Sequence, residues 1–113
     1  MTSSGSPYAR FRRALTTGNL AMVRAAAAEL PQVDLADALE ICALMADAEP
    51  ERYERAALRW LARFTLEGRV TLAQVALAVA ALETMRADRE FALARLRALA
   101  GVRGAVAGPA PPE

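Results

Sequence analysis

The sequence predicts an all-α fold, about six short helices in a compact bundle, and three observations lead there. Alanine fills 28 of 113 positions, and aromatic residues, which strands favour, make up only 5%. Apolar side chains recur at helical spacing, as in Leu20, Val23, Ala27 and Leu30. Prolines, glycines and capping residues then cut the chain into short pieces. A chain of this length is one domain, with a single modest core.

Each element follows from its punctuation. Residues 1–6 are small and polar, a disordered lead-in. Helix 1 runs from Pro7, a first-turn proline, to about Thr16, and Gly18 ends it. Asn19 caps helix 2, which Pro31 stops after Leu30. Asp34 caps helix 3, which reaches about Ala48. Helix 4 opens at Glu49-Pro50-Glu51 and closes at Gly68. Thr71 caps helix 5, which ends near Met85, and Asp88 caps helix 6, which ends before Gly101. Residues 101–113 read as a flexible Gly/Pro-rich tail, leaving 7–100 as the domain.

The same spacing assigns the core. Tyr53, Ala56, Ala57, Trp60, Leu61 and Phe64 form a wide aromatic face on helix 4. Helix 5 places Leu72, Val75, Val79 and Leu82 on one side and alanines over much of the rest, so it is expected to be the most buried element. Cys42 shares a stripe with Leu35, Leu39 and Ala46 and reads as a small core residue.

An internal likeness runs through the chain. Residues 9–23, ARFRRALTTGNLAMV, resemble residues 62–75, ARFTLEGRVTLAQV. At an offset of 54, Asp34 falls on Asp88, Leu39 on Leu93 and Cys42 on Leu96. Two related three-helix units, 7–48 and 49–100, are one explanation, and chance agreement in an Ala/Leu/Arg-rich chain is the other. In length and helix count such a unit resembles an armadillo- or HEAT-like repeat, without the consensus motifs of those families. VTLAQVALAVAAL also resembles the first helix of a bacterial helix-turn-helix. Ala80 stands at the turn glycine's place, however, and no recognition helix follows.

Composition narrows the chemistry. With no histidine, the usual general base near neutral pH and the commonest transition-metal ligand are missing. Neither a phosphate loop nor a nucleophile elbow appears, so no enzyme activity, cofactor or metal is expected. The single cysteine suits a reducing compartment, and the N-terminus carries no secretory pattern. The longest weakly polar run, Val70–Leu82, is too short to span a bilayer. A cytoplasmic protein without membrane contact is expected.

Net charge is only +1, yet the charges are segregated. Seven acids lie between Asp34 and Glu54, flanked by arginines, and lysine is absent. That bipolar pattern points to a non-catalytic protein-interaction module that docks on another protein or on itself. The expected contacts are Asp37, Glu40 and Leu44 on helix 3, the ridge Arg52, Arg55, Arg59 and Arg63 on helix 4, and Phe91 on helix 6. The four arginines fall within about an 80° arc of the helix. Nucleic-acid binding along that ridge is the alternative, disfavoured by the low net charge.

Overall fold

The computed structural model describes residues 5–107, which form six helices and no strand: α1 (Pro7–Thr17), α2 (Leu20–Ala27), α3 (Leu35–Ala48), α4 (Pro50–Gly68), α5 (Leu72–Thr84) and α6 (Arg89–Ala107). Most expected caps form. Asn19 accepts from Met22 N–H and Asp88 from Phe91 N–H, each at 3.1 Å. Thr71 and Gln74 make a reciprocal capping box. Ser6, expected in a disordered lead-in, caps α1 by accepting from Ala9 N–H at 3.0 Å. Residues 1–4 and 108–113 lie outside the described residues.

Two helix ends differ from expectation. The segment after Ala27 tightens into a turn, with Glu29 N–H bonded to Ala26 and Leu30 N–H to Ala27, so α2 stops short of Leu30. In contrast, α6 passes through Gly101 to Ala107 instead of ending ahead of the glycine. A helix-interior glycine costs only about 1 kcal/mol, and Gly101 does not take the left-handed conformation of a cap.

The helices pack in consecutive pairs, α1 on α2, α3 on α4 and α5 on α6, and α3 also meets α2 and α6. Two unequal cores result. The larger joins α3 to α6 around Leu39, Trp60, Phe64, Met85 and Leu96. Trp60 stacks on Phe64 at 5.3 Å and donates to the Leu35 carbonyl at 2.8 Å. The smaller core holds Phe11, Ala14 and Val23 against Leu44 and Ile41 of α3. Although Phe11 and Phe64 occupy matching places in the internal likeness and are both fully buried, Leu20 is buried and its counterpart Leu72 is 89% exposed. The close α3–α4 pair also straddles the expected unit boundary, so the packing does not follow a division into two three-helix units.

The principal extents are 40 × 38 × 22 Å, about two helix diameters thick. In so thin a body an edge helix is covered on one side only, and α5 is such a helix. Contrary to expectation it is not the most buried element: Ala78, Ala81, Leu82 and Met85 face inward, while Leu72, Leu77 and Val79 are exposed. The cause is close approach, since Ala78 and Ala81 share the larger core with the fully buried Ala92 of α6, and small residues let helices come near.

Candidate docking surface

The acidic run of α3 is mostly consumed inside the chain. Asp37 is only 5% exposed. It accepts from the Tyr8 hydroxyl at 3.0 Å and from Arg12 at 2.7 Å. Glu40 lies within 3.4 Å of Arg12 and 3.6 Å of Arg97, and Asp47 pairs with Arg89. Glu49 takes both arms of Arg24 at 2.8 Å, which holds its carboxyl below the usual range. Thus α1, α2 and α6 each reach α3 or its end with an arginine. Leu44, expected as an exposed contact, is half-buried against the smaller core. Asp37, Glu40 and Leu44 therefore tie the chain together, because helices that carry the opposite charge fold onto the acidic flank.

The arginine ridge of α4 does face solvent, but it is broken. Arg63 pairs with Glu67 at 2.7 Å, and Arg52 lies 3.8 Å from Glu49. Arg55 and Arg59 between them make no ion pair among the described residues. Both are exposed. With Arg24 of α2 they line a groove that the sequence did not foretell.

On the other flank of α4 the fold leaves apolar surface uncovered. The first half of α4 runs beside the second half of α5, tied by the Tyr53 hydroxyl donating to the Leu82 carbonyl at 2.8 Å. Between them lies a groove of about 400 Å³ floored by Ala57, Leu61 and Leu82 and walled by Leu58 and Val79. Glu54, Glu83 and Arg86 stand at its rim, none in an ion pair among the described residues. Leu72 lies one and two turns before Val75, Val79 and Ala76 on the same flank of α5, so the apolar stripe continues past the groove. Leu58 and the glutamates were missed in the sequence. The available signal was that Leu58 falls outside the Tyr53–Ala57–Trp60 stripe. Phe91 is half-exposed on α6, with Arg95 over its ring at 5.5 Å, apart from both grooves.

The described residues bring together no group of three carboxylate or thiol ligands that could hold a metal ion. No described helix is long and apolar enough to cross a membrane. Cys42 is buried, and desolvation pushes its thiol up to about 11, far from the thiolate a nucleophile needs. Comparison with known protein families, with curated proteins and with solved structures finds no match.

Proposed function

We propose that this protein is a non-catalytic docking module that seats one amphipathic helix of a partner protein in the α4–α5 groove. The open apolar groove between Leu58 and Val79 is the observation that carries this reading. A channel between two helices suits a third helix, whose apolar side chains at i, i+3 and i+7 would enter it. Glu54 and Glu83 outnumber Arg86 at the rim and pair with no cation among the described residues, which favours a partner helix with lysine or arginine beside its apolar anchors. We place docking away from the acidic flank of α3, where the sequence put Asp37, Glu40 and Leu44, because those carboxylates already have partners. The raised thiol pKa of Cys42 and the lack of histidine support a binding role over a catalytic one.

A photo-crosslinking residue placed at Leu58 in living cells tests this. A discrete adduct with a different protein is expected, lost in Val79→Asp and weakened in Glu54→Lys/Glu83→Lys. Should light scattering show instead a doubled mass that Val79→Asp abolishes, the occupant is a second copy and the partner reading fails. Absence of any specific adduct at Leu58 overturns the groove as a docking site.

A further inference from the structure

We infer that the groove on the opposite flank of α4 binds a small phosphate-bearing ligand through Arg55 and Arg59, with Arg24 and Arg52 in its lining. This does not rest on the apolar groove, which lies on the other side of the helix. The space measures about 590 Å³ and is bounded by α2, α3 and the first half of α4, with Met45 in its lining. That size matches ordinary small-molecule clefts. Glu51 also lines it, and Glu49 is engaged by Arg24 and Arg52. Four guanidinium groups thus face two carboxylates, leaving two positive charges, which is the complement of a phosphate dianion.

The guanidinium groups are not equivalent. Arg24 is held by two 2.8 Å bonds to Glu49, so its position is set before any ligand arrives. Arg55 and Arg59, one turn apart on α4, have their donors unengaged by any carboxylate among the described residues. Both present planar forks suited to phosphate oxygens. Only Glu51 offsets the two charges from within the groove, so Arg55 and Arg59 repel each other in part, and an anion between them removes that repulsion.

The shape of the cluster selects the ligand. Tracking a nucleic-acid backbone needs a run of open cations, and here Arg52 and Arg63 at the two ends of the ridge are each paired with a glutamate. What remains is a compact pair closed off on one side by α2 and Arg24, suited to an orthophosphate, phosphate-ester or pyrophosphate group.

Titration of the full chain with inorganic phosphate and with pyrophosphate, followed on the arginine Nε–H resonances at low ionic strength, tests the assignment. Saturable shifts at Arg55 and Arg59 are expected, with pyrophosphate the tighter. Arg55→Gln/Arg59→Gln should weaken binding at least about tenfold, and Arg55→Lys should weaken it less, while Arg97→Gln on the far side leaves it unchanged. Unaltered thermal melting in each variant shows that the fold is intact. Shifts that fail to saturate, or that persist in the double glutamine variant, overturn the site. A thymidine oligomer binding more tightly than pyrophosphate, and requiring Arg63, overturns it in favour of a nucleic-acid ridge.

Discussion

Two buried acids, Tyr53 and Cys42, make this fold sensitive to alkaline pH. Burial pushes the Tyr53 hydroxyl up to about 12 and the Cys42 thiol up to about 11. Both are neutral when folded, and their ordinary values are 10.0 and 9.0. The unfolded chain therefore releases these protons at lower pH than the native one. Stability is fully present below about pH 9 and falls as pH climbs through 11 for the thiol and 12 for the phenol. Each group accounts for at most about 2–3 kcal/mol of that loss. Urea denaturation across alkaline pH should show the decline, with Cys42→Ala removing its lower part. Tyr53→Phe should remove the upper part while costing about 1 kcal/mol at neutral pH through the lost bond to Leu82. The burial of both residues was legible in the sequence, since each lies on an apolar stripe. The role of Asp37 was not: its partners Tyr8 and Arg12 are more than twenty residues away, and a carboxylate on a helix flank reads as solvated until another helix covers it.

Among the elements, helix starts were more readable than helix ends. Starts depend on local chemistry, and Asn19, Thr71 and Asp88 each bond a backbone N–H three residues on. Ends were less readable, as the early finish of α2 and the run of α6 past Gly101 show. The close of α4 is a case in point. Gly68 is its last helical residue, and Arg69, not the glycine, takes the left-handed conformation at φ 51°. At the end of α1, Gly18 holds that role at φ 72°. Arg69→Gly should therefore stabilise the protein by about 0.5–1 kcal/mol, because a side chain with Cβ is strained there. Gly18→Ala should destabilise it by about 1 kcal/mol. Nothing lies within 4 Å of a Cβ added at Gly18, so this cost is conformational and not steric. Paired thermal melts of the two variants check both signs.

For the molecule as a whole, the two cores differ in size and so in resistance to opening. The α1–α2 pair holds to α3 through Phe11, Ala14 and Val23, aided by the bonds of Tyr8 and Arg12 to the buried Asp37 and by the more exposed Arg24–Glu49 pair. By contrast, α3 to α6 close around Trp60, Phe64, Leu39, Met85 and Leu96. Amide hydrogen exchange should show α1 and α2 exchanging through a local opening of lower free energy than α3, α4 and α6. Equal protection across all six helices would mean that the two cores open as one.

The helical class, the starts of the helices and the aromatic face of α4 were all readable from the residues alone, since each rests on contacts within a few residues or on one helix's periodicity. Packing between helices settled which flank of α5 turned inward, because Leu72 and Val79 satisfy an amphipathic pattern as well as Ala78 and Ala81 do. Close approach of α6 breaks that tie. It likewise decided that the acids of α3 are spent within the chain, for an ion pair between distant helices leaves no periodic trace. The uncovered apolar groove and the arginine-lined groove both follow from those two choices.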